Sequence, residues 1–540
     1  MGMVRVSEIG ISGKPALMEF SQQTVRITGI HTQSVSKAAP MSALLRSVFL
    51  FLGLVAAASR PSSCVAFDDS TSGLSRPNIV WVVVEDMSDH FGCYGETTIK
   101  TPNVDRLAAE GVLFQNAFVT APVCSTCRSA LITGMYQTTI GAHHHRSGRG
   151  IVKLQLPTGV RPVPVLFKEA GYWVSNGYEE ILNLARPGTK ARKPRPAKTD
   201  YNFEYASTLY DDPDWKGRAK GQPFFAQIQL RGGKGRTLDT PNPISPDKVQ
   251  LPPYYPDDPV IKDDWAKYLN SVMNTDIAVG KLFARLKRDG DLKNTFIFFI
   301  TDHGISHARG KQFVYEEGMK IPLIIHGPGL NAGQKRDDLV LQIDLAATSL
   351  ALAGIGIPAH LESVDLFAED YSPRKFVVSA RDRCDETVDR LRGIRTARYK
   401  YIRNFLHERP YLQPNAYKDN KDILKAMRRL YAAGKLNLAQ SLIMRTLRPK
   451  EELFDLKNDP LELNNLAGSL EHRRILGEHR AMLEDWIQKT GDKGMQNEPE
   501  EVFDSDMRVY LDKIRKRDRR RFEEISRNIA LMKEWAAAGK

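Results

Sequence analysis

The chain has 540 residues, with 77 Lys and Arg against 64 Asp and Glu, a formal net charge of +13 and five cysteines. That length leaves room for two or more domains and a large core, and so few cysteines exclude a disulfide scaffold. The basic excess suits an anionic polymer or surface; no nucleic-acid motif accompanies it, so nucleic acid is not the expected partner.

Residues 1–40 lack organisation and read as an upstream extension, with Met41 as the start. Arg46, the apolar stretch Val48 to Ala58 and the small run Ala56-Ala57-Ala58 make residues 41–58 a secretory signal, too short for a stable membrane span. The expected location is therefore exported, either periplasmic or extracellular.

From Pro77 to Val84 the chain is continuously β-branched and aromatic, as in a parallel strand buried on both faces, and it stops at Glu85-Asp86. Thr101 to Gly111 predicts a helix with Pro near its start and Gly at its end. Pro122-Val123-Cys124-Ser125-Thr126-Cys127-Arg128 precedes a second helical pattern, and His143-His144-His145 follows it. Taken alone, Cys124 and Cys127 form a C-x-x-C pair open to a disulfide, half a zinc site, a redox motif or plain burial. A further apolar strand, Thr295 to Thr301, ends at Asp302-His303-Gly304. Ligands of open α/β sheets lie beyond the carboxyl ends of strands, so two strand ends carrying acids converge on one hard cation. An Asp turn or cap is the plainer alternative at each end.

Near residue 376 the pattern changes to short strand-like pieces, Phe376 to Ala380 and Ile394 to Arg403. Val502 to Ala538 has helical spacing without Gly or Pro and predicts one basic amphipathic helix carrying the run Lys513 to Arg521. Domains are expected at 76–375 and 376–495, followed by a helical tail at 496–540. A second basic cluster spans Lys190 to Lys198.

These motifs together resemble the type I sulfatases of the alkaline phosphatase superfamily, glycan and heparan N-sulfatases in particular. Cys124 and Arg128 take the Cys and Arg of the family's Cys-x-Pro-x-Arg signature, with Thr126 in place of proline. Gly310 to Gly318 is similar to the family's lysine loop, Lys198 to Phe203 to its other lysine motif, and Glu452 to Leu456 with Asp459-Pro460 to its C-terminal signature. The resemblance implies an α/β fold, a large mixed sheet flanked by helices with a smaller C-terminal antiparallel-sheet subdomain. It also implies an exported sulfuric ester hydrolase acting on a sulfated glycan, with a formylglycine-generating enzyme as its maturation partner.

On that resemblance Cys124 becomes formylglycine, whose hydrate is the nucleophile. Arg128 holds the hydrate, and Lys198 and Lys311 bind sulfate. Glu85, Asp86, Asp302 and His303 hold a divalent cation, calcium, and His303 doubles as a sulfate contact. His307, His144 and Arg381 are expected near the substrate. The strand Phe224 to Leu230 leads in many relatives to a histidine that protonates the leaving group, but Arg231-Gly232-Gly233-Lys234 follows here, so the acid has no assignment, and His143-His144-His145 and His307 are the candidates for it. Two alternatives stand: a phosphate or phosphonate monoester hydrolase of the same superfamily, and a catalytically silent protein that binds sulfated glycans.

Overall fold

The computed structural model describes residues 76–183 and 194–540. The expected extension and signal at 1–58, and the basic cluster as far as Lys193, lie outside the described residues. Among the described residues eleven strands form two sheets. The large sheet takes β1 (Asn78–Val84), β2 (Val112–Phe118), β3 (Trp173–Tyr178), β4 (Phe224–Leu230), β5 (Thr295–Thr301), β6 (Lys320–His326) and β7 (Gln334–Leu341), in the order β3-β4-β1-β5-β6-β2-β7. The small sheet orders β11 (Glu451–Asp455), β10 (Tyr399–Asn404), β9 (Leu391–Thr396) and β8 (Phe376–Arg381), all antiparallel.

The two continuous apolar runs fold as the sequence predicts. β1 and β5 are buried at every residue, because helices cover both faces of the sheet. β1 is an inner strand and pairs in parallel with β4 on one side and β5, the central strand, on the other. The outer part of the sheet is mixed, since β6 runs antiparallel to both β5 and β2.

Register then fixes the site. Val84 is opposite Thr301 and also opposite Leu230, so the residues that follow these three strands emerge side by side. The backbone continues the pairing past the strand ends, with Asp302 N donating to Val84 O at 2.8 Å and Glu85 N to Leu230 O at 3.1 Å. Asp86 has φ 53°, a left-handed conformation that few side-chain-bearing residues adopt. Asp86 N donates to Asp302 Oδ1 at 2.9 Å, which holds this turn and draws the second acid over the first.

The tail departs from expectation. It forms two helices, Glu500–Arg515 and Arg519–Ala537, with Asp518 capping the second by accepting from Arg521 N at 2.9 Å. An aspartate inside the basic run starts a new helix there, because its carboxylate satisfies an unpaired N–H of the first turn. Phe503, Met507, Tyr510 and Ile525 form a small apolar cluster with Ala416. The tail also holds the loop after the triple histidine. Asp506 accepts from the backbone N–H groups of Gly148, Arg149 and Gly150 at 3.2, 2.9 and 2.8 Å.

Candidate active site

Cys124 is the first residue of the buried helix Cys124–Thr133, after an extended Val123. Thr126 occupies the third position, and its hydroxyl donates to Val123 O at 2.9 Å, closing the first turn without proline. The Cys124 Sγ is 2.9 Å from Lys311 Nζ, 3.2 Å from His303 Nε2, 3.7 Å from Asp86 Oδ1 and 3.9 Å from Lys234 Nζ. Burial raises a thiol pKa, but Lys198, Lys234 and Lys311 outweigh it, and the Cys124 thiol is lowered to about 6. Burial pushes the Cys127 thiol well up instead. Neither cysteine is in a disulfide.

Asp86, Cys124, Asp302 and His303 offer ligand atoms that all lie within 4.8 Å of one another, and all four residues are buried. Two carboxylates and an imidazole at one point suit a divalent cation. Burial alone would raise both aspartates. Lys234, Lys311 and His303 instead hold Asp86 well below the usual carboxylate range, and His303 and Arg128 do the same for Asp302. His303 Nδ1 donates to Gly304 O at 2.8 Å, which leaves Nε2 facing the cluster. Glu85 stands beside this group rather than in it: its Oε1 is 3.3 Å from Arg128 and 3.6 Å from Lys198, and its Oε2 pairs with Lys234.

Arg128 reaches into the site from one turn beyond the start of the helix. Its Nε and Nη2 bind Asp302 Oδ2 at 3.2 and 3.0 Å, and Nη1 donates to Gln229 Oε1 at 2.6 Å. This guanidinium therefore fixes the acid pair rather than resting on Cys124. Lys198 lies 3.2 Å from Asp200 as well as near Glu85, and Asp200 is held in turn by Arg149 at 2.6 Å.

A profile of the sulfatase family matches residues 77–355, and one of the C-terminal region of N-sulphoglucosamine sulphohydrolase matches residues 303–446. An ulvan-active sulfatase of Formosa agariphila is 33% identical over 470 residues, covering 77% of this chain and 76% of that protein. The chain belongs to the sulfatase family. Human N-sulphoglucosamine sulphohydrolase is 25% identical over 461 residues, covering 77% of this chain and 91% of its own. Among solved structures, a 2-O glycosaminoglycan sulfatase superposes with a TM-score of 0.55 at 21% identity, over 78% of this chain and 94% of its own, and shows the same fold. The large mixed sheet with a separate antiparallel sheet is the architecture expected of the family, and this sulfatase is a sulfuric ester hydrolase.

Three of the expected substrate neighbours are engaged elsewhere. His307 is fully buried, with Nε2 2.5 Å from Asp264 Oδ2 and its ring stacked on Trp265 at 5.0 Å. The His144 Nδ1 accepts from Arg383 N at 3.3 Å, and the side chain lines a separate cavity with Asp382, Arg390 and Glu498. Arg381 Nη1 pairs with Asp389 at 2.9 Å inside the small sheet's surroundings. The histidine that reaches the helix Cys124–Thr133 is the next one, His145, whose Nδ1 is 2.7 Å from Ser125 Oγ.

Sequence reading passes over Lys234 and Tyr417. Lys234 reaches the site because two glycines precede it. A Cβ at Gly232 would fall 2.3 Å from Glu85 O, and one at Gly233 would fall 2.1 Å from Asp86 O. Only bare backbone fits against the Glu85-Asp86 turn, and that close approach carries the lysine over Cys124. Tyr417 comes from the C-terminal region and donates its hydroxyl to Asp86 Oδ2 at 3.1 Å.

Proposed function

We propose that this sulfatase is exported and removes sulfate from a sulfated polysaccharide or glycosaminoglycan, with residue 124 matured to formylglycine beside a calcium ion. The observation that carries the reading is Cys124 at the start of a buried helix, ringed by Lys311, His303 and Lys234 above the Asp86 and Asp302 carboxylates. Formylglycine supplies a hydrated aldehyde, with one hydroxyl to attack sulfur and a second whose deprotonation expels sulfate. A thiol offers no such second group. The cation, held by Asp86, Asp302 and His303 with Glu85 alongside, supplies charge stabilisation for the sulfate oxygens. Lys311, Lys198 and Lys234 bind those oxygens through charge-assisted hydrogen bonds, and Arg128 keeps the two acidic strand ends in place. Residues 76–375 bring the nucleophile, and 376–495 close the site through Tyr417. Maturation requires a formylglycine-generating enzyme, and export rests on the signal at 41–58.

The test is release of free sulfate from heparan-, chondroitin- and algal-type oligosaccharides, compared with aryl sulfates and phosphate monoesters. Turnover should favour one of the oligosaccharides. Its KM should rise with salt, because screening shortens long-range attraction to about 10 Å at about 0.1 M. Preference for phosphate esters would replace this reading with a phosphate or phosphonate hydrolase, and binding without any release would make the protein a silent glycan binder.

Removing the cation gives a separate expectation. A ligand present at about 100 times its Kd stabilises the native state by about 2.7 kcal/mol, so chelation should lower the melting temperature along with activity, and calcium should restore both. A metal-free protein that is fully active would remove the cation from the account.

A further inference from the structure

A sugar alkoxide is a poor leaving group, so its departure from sulfur calls for a proton donor beside the ester oxygen. The histidines and most of the lysines of this pocket are already engaged. His303 belongs to the acid cluster, and His145 lies between Ser125 and Asp385. His307 is sealed against Asp264 and Trp265. Lys234, Lys198 and Lys311 each form ion pairs with Glu85, Asp86 or Asp200.

Lys421 differs from all of these. It is half-buried and forms no ion pair among the described residues; its ammonium rests over the ring of Tyr417, 4.9 Å from the centroid. Lys311 Nζ lies 4.9 Å from the same centroid, and Lys311 is the lysine in contact with Cys124. One aromatic ring therefore carries both ammonium groups, one buried beside residue 124 and the other half-exposed. The support is rigid. Lys418 is buried and donates to the carbonyls of His307 and Ala308 at 2.9 and 2.8 Å, which pins the short helix Ala416–Asp419 to the loop after β5. Lys421 N donates to Lys418 O at 2.9 Å and inherits that position.

We propose that Lys421 is the acid that protonates the departing sugar oxygen. The step rests on the formylglycine reading above. As the hydroxyl on residue 124 gives up its proton to water and its oxygen bonds to sulfur, the bond from sulfur to the ester oxygen breaks and its electron pair passes to that oxygen. The oxygen takes a proton from Lys421 Nζ, the sugar leaves as an alcohol, and water returns a proton to the neutral amine. Burial foremost, then Arg236 and Lys311, lower the Lys421 ammonium to about 8 against the opposing pull of Asp86 and Asp264. It is thus charged at neutral pH yet far more acidic than a free lysine.

The experiment compares Lys421→Met and Lys421→Arg with wild type on 4-nitrophenyl sulfate, phenyl sulfate and the preferred sulfated oligosaccharide. Lys421→Met should lower kcat on the oligosaccharide by about 10²-fold or more, the range of a lost general acid, with a loss on 4-nitrophenyl sulfate at least about tenfold smaller because its leaving group needs no proton. Lys421→Arg keeps the charge but cannot give up its proton, so it should restore KM and not kcat on the oligosaccharide. Wild-type kcat on the oligosaccharide should also fall as pH rises through about 8, where the amine loses its proton, and Lys421→Met should lack that limb. Equal losses across the three esters, or full recovery of kcat by arginine, would overturn the role. Melting temperatures of the variants separate misfolding from lost chemistry. Failure of wild type to release sulfate from any ester would overturn the underlying sulfatase reading itself.

Discussion

Replacing Cys124 with alanine will abolish sulfate release, by on the order of 10⁴-fold or more, the scale on which loss of a nucleophile acts. The fold should survive, since alanine retains the small buried volume at the start of the helix and costs about 1 kcal/mol. Cys127→Ala should be far milder. Cys127 lies in the same helix, but burial raises its thiol, whereas three lysines lower that of Cys124. Kinetics and thermal melts of the two variants side by side read this directly. Equal loss in both would show that the helix, rather than residue 124, is what activity needs.

Arg128→Met should have the largest effect on stability. Arg128 is 3% exposed and binds Asp302, Glu85 and Gln229 at once. Removing one partner of a buried ion pair leaves the other charge uncompensated and costs about 3–5 kcal/mol. Asp302 would then face Asp86 without its guanidinium, so the cation site should loosen as well. Chemical denaturation of wild type and variant, with and without calcium, measures both effects. A change in unfolding free energy below about 1 kcal/mol would show that Lys234, Lys198 and His303 suffice to balance the acids.

Much of this site is legible in the sequence because its chemistry sits at the ends of strands that announce themselves. Pro77 to Val84 and Thr295 to Thr301 are unbroken apolar runs, and the parallel register of β1 and β5 then places Glu85-Asp86 beside Asp302-His303. Local sequence does not reveal side-chain direction. His144 and His145 are indistinguishable in the sequence, yet one turns toward Arg383 and the other toward Ser125. Arg381 reads as a substrate contact, but its partner Asp389 is close in sequence and takes it. Lys234 becomes a site residue through the fit of two glycines against the Glu85-Asp86 backbone, a relation between β4 and β1 that no single segment contains. Tyr417 and Lys421 lie in a stretch with no motif, about 300 residues from Cys124 in sequence, and tertiary packing alone brings them in. The tail is recognisable as helix from its spacing, and its break is encoded in Asp518, whose capping role the surrounding basic residues mask.

The proposed function requires that residue 124 is converted before the enzyme works. Trypsin cuts after Arg106 and Arg128, so the peptide Leu107 to Arg128 carries both cysteines of the motif and nothing else that reacts with an aldehyde probe or a thiol reagent in the same way. Mass spectrometry of that peptide from active protein should find an aldehyde at position 124, trapped by a hydrazide probe, and a free thiol at Cys127. Two intact thiols, or a disulfide between them, in protein that releases sulfate at full rate would contradict the account.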